Sequence, residues 1–201
     1  MIDATREWMI AVGTVGAVLV ALFWPVYLRY LRRPQLRISY EPREPFCRHT
    51  DMTDMDDGSA VPSFWMRVRV TNEGRSTARG CKGKLVAVRS EDGEARADRD
   101  SMLLRWALAG MSEEHQLEPL DLAPNESDFL NVVYATSRRT DAIFIATGPR
   151  SRPGFAPLLE TGRAHRITVA VYADNATWTH QEFVVRFHGT LDGLRMSWPE
   201  E

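Results

Sequence analysis

The chain has 201 residues, with 25 Lys/Arg against 27 Asp/Glu and a formal net charge of −2. That balance supplies no electrostatic footprint for nucleic acid, and two cysteines are too few for a disulfide scaffold. Arg6, Arg29, Arg32, Arg33, Asp3 and Glu7 all precede Pro34, so the remainder holds 21 basic and 25 acidic residues, a net of −4. About 165 residues remain beyond the first segment, enough for one domain with its own core.

The first predicted element is a helix. From Trp8 to Leu28 no residue is charged, and Arg29, Arg32 and Arg33 follow directly. A run of about 21 residues spans roughly 30 Å as a helix, the thickness of a bilayer's hydrocarbon core. Trp8 stands at one end and Trp24, Tyr27 and Tyr30 at the other, as the interfacial belts of a spanning helix require. Residues 1–7 are then a short tail, 8–30 a transmembrane helix with the lipid bilayer as partner, and 31–34 a linker. Pro25 falls within about a turn of the end, where a kink is tolerable. A cleaved signal peptide fits less well: the run exceeds a typical apolar region, and Asp3, Arg6 and Glu7 precede it in place of a basic cluster. Only Arg6 lies on the amino-terminal flank, so the Lys/Arg asymmetry puts the larger part on the cytoplasmic side of the cell membrane. Gly13, Ala17 and Ala21 recur every fourth residue, a small-residue stripe that either lets two helices meet in a homo-oligomer or reflects the ordinary abundance of Gly and Ala in spanning helices.

Beyond the linker, hydrophobicity alternates with a period of two. Phe64, Met66, Val68 and Val70 share one face, with Trp65, Arg67 and Arg69 on the other; Leu130, Val132 and Tyr134, Ile167, Val169 and Val171, and Phe183, Val185 and Phe187 repeat the pattern. Turn residues separate the runs at Asn72-Glu-Gly74, Asp92-Gly93, Pro124-Asn125, Thr147-Gly-Pro149 and Asp174-Asn175. This spacing predicts strands near 35–41, 63–71, 79–89, 116–122, 127–135, 141–147, 164–173 and 178–188. Asp192-Gly193 turns a last hairpin that brings Trp198 back over the sheet. Met102–Ala109 reads equally as strand or short helix. Glu41–Pro62 and Arg150–Gly162 read as long loops. The fold class is all-β, an antiparallel sandwich or barrel over 35–201 preceded by one helix.

Phe64-Trp-Met-Arg-Val-Arg-Val-Thr-Asn-Glu-Gly-Arg-Ser-Thr-Ala-Arg-Gly80 carries a resemblance. A strand ending in Val-x-Asn-x-Gly, then Ala and a second strand from Lys84 to Val88, resembles bacterial immunoglobulin-like domains, the cell-adhesion-related domain in bacteria among them. Leu120-Asp-Leu-Ala-Pro-Asn-Glu126 leading into Phe129–Tyr134 is similar to their next strand pair. The resemblance covers roughly residues 35–188 and implies an immunoglobulin-like β-sandwich acting as a spacer or binding module, with no shared catalytic residues. The segment near 90–115 is an insertion against that pattern, and the Cys…Trp…Cys framework is missing.

Candidate chemistry is sparse. Asp51, Asp54, Asp56 and Asp57 with His49 supply oxygen and imidazole ligands, but counting from Asp54 puts Trp65 at the twelfth position, so the loop fails the calcium template. Cys47, Cys81 and the five histidines form no Cys-x-x-Cys or His-x-x-x-His pair. No Gly-x-Ser-x-Gly elbow is present. Arg138-Arg139 and Arg150-x-Arg152 read as a basic edge or as scattered solubilising charge. His115, His165, His180 and His188 read as surface histidines. In a reducing cytoplasm Cys47 and Cys81 are free thiols; in the reverse topology they are free to pair.

The expectation is a non-catalytic, membrane-anchored module for protein interaction or scaffolding, without cofactor, metal or nucleic-acid partner. Its protein partner is not legible in the sequence. The anchor residues are Trp8, Trp24, Tyr27, Arg29, Arg32 and Arg33, and the helix–helix contact is Gly13, Ala17 and Ala21. Two alternatives stand beside it: an oligomerising effector or sensor of the bacterial-immunity type whose β domain binds a ligand, and a surface-exposed adhesion domain of reverse topology.

Overall fold

The computed structural model describes residues 2–31, 33–53, 58–90, 102–108, 110, 112, 114–147 and 158–199. One helix, α1 (Ile2–Leu31), is followed by β1 (Leu36–Ser39), β2 (Cys47–Thr53), β3 (Ala60–Asn72), β4 (Ala78–Ser90), β5 (Met102–Leu103), β6 (Leu120–Leu122), β7 (Ser127–Thr136), β8 (Arg139–Ile145), β9 (Leu158–Glu160), β10 (His165–Ala173), β11 (Ala176–Arg186) and β12 (Arg195–Ser197).

The strands form two six-stranded antiparallel sheets. In the first the order is β1-β3-β7-β8-β9, and β2 shares β3's outer flank with β1. The sharing is possible because β3 is 13 residues long. Its last four residues pair with β1 (Leu36↔Asn72 to Ser39↔Arg69) and its first seven with β2 (Cys47↔Met66 to Thr53↔Ala60). In the second sheet the order is β12-β11-β10-β4-β5, with β6 beside the start of β4.

Alternation closes the sandwich. Met66, Val68 and Val70 from β3 and Leu130 from β7 face Leu85, Ile167, Val169, Phe183 and Val185, all essentially without solvent contact. Burying side chains of this size contributes about 1.5–3 kcal/mol each, so this layer is what holds two otherwise separate sheets together. Gly83 on β4 belongs to the same layer: a Cβ there would fall on Leu130, its methyls nearest and its Cγ at 2.8 Å. The leucine fills the notch that the missing side chain leaves.

One segment crosses between the layers. Met102 and Leu103 pair with β4, and then Leu104–Ala107 moves to the first sheet. There Arg105 N–H donates to Ala146 O (3.0 Å), Ala107 N–H to Phe129 O (2.7 Å) and Asn131 N–H to Arg105 O (2.9 Å). Leu104 and Trp106 point into the core, both 1% exposed. The segment that reads equally as strand or helix is therefore extended, as its backbone bonds to Ala146, Phe129 and Asn131 require.

Three other expectations are corrected. The loop expected over 41–62 holds β2, which makes a hairpin with β3 whose tip, 54–57, lies outside the described residues. β2 escapes the pattern because this edge strand carries polar residues on both faces and only Cys47, at its start, packs against the core. The strand expected over 116–122 is a 3-10 turn (His115–Leu117) followed by the short β6. His165 is not at the surface: it is 0% exposed, with Nε2 2.9 Å from Glu160 O. The last hairpin forms as expected, with β12 against β11 and the Trp198 ring 4.9 Å from that of Phe183.

The side chains of α1 are described at 8, 9, 12–24 and 27, and every one is exposed. The longest unbroken described run is thus 12–24, and among the described residues no helix is long and apolar enough to cross a membrane. The expected span of 8–30 reaches beyond that run at both ends.

Candidate functional site

The junction between helix and sandwich is built on the Val70-Thr-Asn72-Glu-Gly74 stretch. The side chain of Asn72 is 0% exposed and fully used. Its Oδ1 accepts from the backbone N–H of Gln35 (3.2 Å) and Gly74 (3.0 Å), and its Nδ2 donates to Ser76 O (2.8 Å) and Leu122 O (2.9 Å). Four separate segments, the linker, the β3–β4 turn, β6 and β3 itself, are tied by one amide. Gly74 lies directly under the linker: a Cβ there would collide with the backbone of Arg33, Pro34 and Gln35. Asn125, which takes a left-handed conformation (φ 64°), donates its N–H to Asn72 O at 2.7 Å. Asn175 adds the β10–β11 turn, accepting from Arg79 N–H (2.9 Å) and donating to Thr77 O (2.9 Å).

The expected anchor residues fall as follows. Trp8, Trp24 and Tyr27 are 73%, 55% and 52% exposed, and the Trp24 and Tyr27 rings lie 5.9 Å apart. Gly13, Ala17 and Ala21 are all exposed, and a Cβ at Gly13 would meet nothing within 4 Å. Arg33 is exposed; the side chains of Arg29 and Arg32 lie outside the described residues.

Both outer faces of the sandwich carry organised side chains. On the second sheet, Lys84 Nζ stands 5.2 Å from the Tyr172 ring, Tyr172 stacks on Trp178 at 5.8 Å, and Trp178 on His180 at 4.8 Å. On the first sheet, Trp65, Tyr134 and Phe144 stack across three strands at 4.2 and 5.0 Å. Beside them Arg48 stands opposite Trp65, Arg67 opposite Asn131, and Arg69 opposite Phe129. The Arg69 guanidinium sits 5.1 Å from the Phe46 ring and 5.0 Å from that of Phe129. Burial, with the neighbouring Arg48 charge second, holds Arg67 below the ordinary arginine value. Sequence reasoning placed Arg67 and Arg69 on the outward face but passed over them; the Arg-x-Arg alternation against Met66 and Val68 was the available signal.

The remaining candidates do not converge. Of the acidic loop, Asp54, Asp56 and Asp57 lie outside the described residues; His49 stacks on Phe64 at 4.3 Å and its Nε2 is 3.3 Å from Asp192. Among the described residues no group of three or more His, Cys, Asp or Glu is placed to hold a metal ion. Arg139 pairs with Asp141 at 3.0 Å and Arg138 with Ser59, while Arg150 and Arg152 lie outside the described residues.

Neither cysteine is in a disulfide, and the two occupy different sheets. Cys47 lies between Tyr40 Oη (3.6 Å) and Met66 Sδ (3.5 Å), and burial raises the Tyr40 hydroxyl above its usual range. Cys81 is 0% exposed, and burial, reinforced by the Asp121 carboxylate, pushes its thiol up to about 11 from 9.0. Because the thiolate is the nucleophile, iodoacetamide at pH 8 is expected to label half-exposed Cys47 in the native protein and to spare Cys81, with both labelled after denaturation, as read by intact mass. The same shift has a sign for stability: below pH 9 both states keep the proton, and between 9 and about 11 the unfolded chain ionises first, so Cys81's contribution is lost as pH rises through that window.

No family model matches the chain, and no curated protein matches it. Among solved structures, Bacteroides uniformis beta-glucuronidase 2, covalently bound to cyclophellitol-6-carboxylate aziridine, is 14% identical with a TM-score of 0.31; the match covers 83% of this chain and 15% of that one. This chain therefore spans well under a quarter of the glucuronidase's length. Northeast Structural Genomics Consortium target SoR45 is 9% identical with a TM-score of 0.31, over 85% of this chain and 97% of that one. Likenesses this distant carry no argument about activity.

Proposed function

We propose that the chain is a single-pass membrane protein that presents an immunoglobulin-like β-sandwich, as a non-catalytic interaction module, at the inner face of a bacterial membrane. The observation that carries this reading is the helix surface. Val12, Val15, Val18, Leu19, Val20, Leu22, Phe23 and Trp24 are each about half exposed or more, and the arc they leave is filled by the small residues Thr14, Ala17 and Ala21, also exposed. A helix that is apolar all round has no wet face, so its stable environment is lipid or other apolar helices. The arginines at 29, 32 and 33 favour the cytoplasmic side for the sandwich. The Asn72–Gly74 clamp supports a module held close to the bilayer rather than on a flexible tether.

The full-length protein, expressed in bacterial cells, is expected to sediment with membranes, resist carbonate extraction and dissolve only in detergent. Protease added to intact spheroplasts is expected to leave the sandwich whole. Recovery in the supernatant after gentle lysis without detergent overturns the anchor, and digestion in intact spheroplasts overturns the orientation.

A second reading, a sensor whose β domain binds a ligand, is favoured by the arginine-rich outer face of the first sheet.

A further inference from the structure

We infer that the outward face of β3 and β7, at Arg48, Arg67, Arg69 and Asn131, is a binding site for a proton-bearing oxyanion of the phosphate class. The inference rests on the second reading above and names the ligand chemistry for it.

Three arginines lie together on this face without a carboxylate partner among the described residues, only Arg69 being packed against aromatic rings. Arg48 and Arg67 are diagonal neighbours on paired strands, and Arg69 is two residues further along. Among the described residues no ion pair or carboxylate hydrogen bond forms to any of the three, and none of the outward positions of β3 from Ser63 to Thr71, nor their register partners, is Asp or Glu. Some arginines elsewhere do meet a carboxylate, as with Arg37 and Glu73 at 2.9 Å and Arg139 and Asp141 at 3.0 Å. Arg67 and Arg69 are half-buried beside the exposed Arg48, so the like charges repel and the two inner ones lose hydration, which an anion among them would reverse.

The polar atoms agree. The Nε groups of Arg67 and Arg69 are buried and have no acceptor. Asn131, only 5% exposed, stands opposite Arg67, and its Oδ1 is buried and has no donor. Each such orphan is unfavourable when nothing fills it. Two unpartnered donors and one unpartnered acceptor match a ligand with both kinds of group: oxygens that accept from arginine, and one O–H that donates to Asn131. Hydrogen phosphate has that pattern, as does a phosphate flanked by a hydroxyl. Sulfate, which carries no proton at neutral pH, leaves the asparagine oxygen unpaired.

A free anion fits better than a lipid headgroup. Arg67 lies five strand positions from Asn72, the clamp nearest the helix, or roughly 17 Å at 3.4 Å per residue. That puts the site well up the sheet from the end where the linker enters.

The test is titration calorimetry on the full chain in phosphatidylcholine nanodiscs at constant ionic strength, with inorganic phosphate and then sulfate. The expected result is saturable phosphate binding, weaker sulfate binding, and an affinity for phosphate lowered about tenfold by Arg67→Gln or Arg48→Gln, the scale of one lost charge-assisted hydrogen bond. Asn131→Ala is expected to abolish the preference for phosphate over sulfate, and Arg139→Gln to leave binding unchanged. Circular dichroism of each variant separates lost binding from lost fold. Absence of phosphate binding, or binding that Arg67→Gln and Arg48→Gln leave intact, overturns the inference. So does loss of the phosphate signal when the chain sits in phosphatidylglycerol nanodiscs at the same ionic strength, which would make a headgroup the ligand. If the chain proves to remain in solution without detergent, the same titration runs in buffer, so failure of the anchor and failure of this site stay distinguishable.

Discussion

Replacing Asn72 with alanine is expected to remove a large part of the stability of the sandwich. Four hydrogen bonds are lost at a site with no solvent access, and two N–H groups and two carbonyls are left without their amide partner. At about 1 kcal/mol for each bond, and more for each group left buried and unpaired, the loss is about 4 kcal/mol or greater. Domains of this size commonly have only about 5–15 kcal/mol in hand, so a molten or aggregated product is an acceptable outcome at 37 °C. Urea denaturation followed by tryptophan fluorescence reads the effect. Asn72→Asp is the sharper variant. It keeps the acceptor for Gln35 and Gly74 but presents a carboxylate to the carbonyls of Ser76 and Leu122. Its penalty should therefore be greater at neutral pH than at acid pH, where the carboxyl regains a donor. A midpoint within experimental error of the wild type for Asn72→Ala would show that the clamp is dispensable.

The second large effect lies where the sheets touch. Gly83→Ala puts a methyl group onto Leu130, and overpacking of this kind typically costs about 1–3 kcal/mol. Leu130→Ala alone removes a fully buried side chain and is expected to cost about 2–5 kcal/mol. The informative protein is the double variant. With Leu130 truncated, the new methyl occupies vacated space, so the two costs should fall short of additive by about 1–2 kcal/mol. Strict additivity would mean that the glycine is there for the backbone of β4 and not for the leucine.

Most of the strands were readable because their inward residues are large, apolar and two apart; Met66-x-Val68-x-Val70 and Ile167-x-Val169-x-Val171 leave little choice of register. What escaped reading is what does not face the core. β2 is polar on both faces, β9 is three residues long, and residues 104–107 change sheet, which no local periodicity records. His165 misled because histidine composition carries no information on burial; only its pairing between β4 and β11 puts it inside. Asn72 and Gly74 were noticed as a pattern, and the structure supplies the reason: an amide that must meet four backbone groups and a residue that must have no side chain. The arginine face was harder. Its residues come from positions 48, 67, 69 and 131, and only pairing of β2, β3 and β7 brings them side by side.

The crossing of Leu104–Ala107 from one layer to the other bears on how another protein could engage this module. Along that flank the carbonyls of Gly83, Ala146 and Phe129 are already taken, so a visiting strand would have to displace this segment. Recognition by strand addition is better served by the other edges, where β1 and β2 lie in tandem and where β9 and β12 each offer three residues. A peptide that extends the sheet at β2 would run alongside Arg48, so its own residues at that height should be acidic.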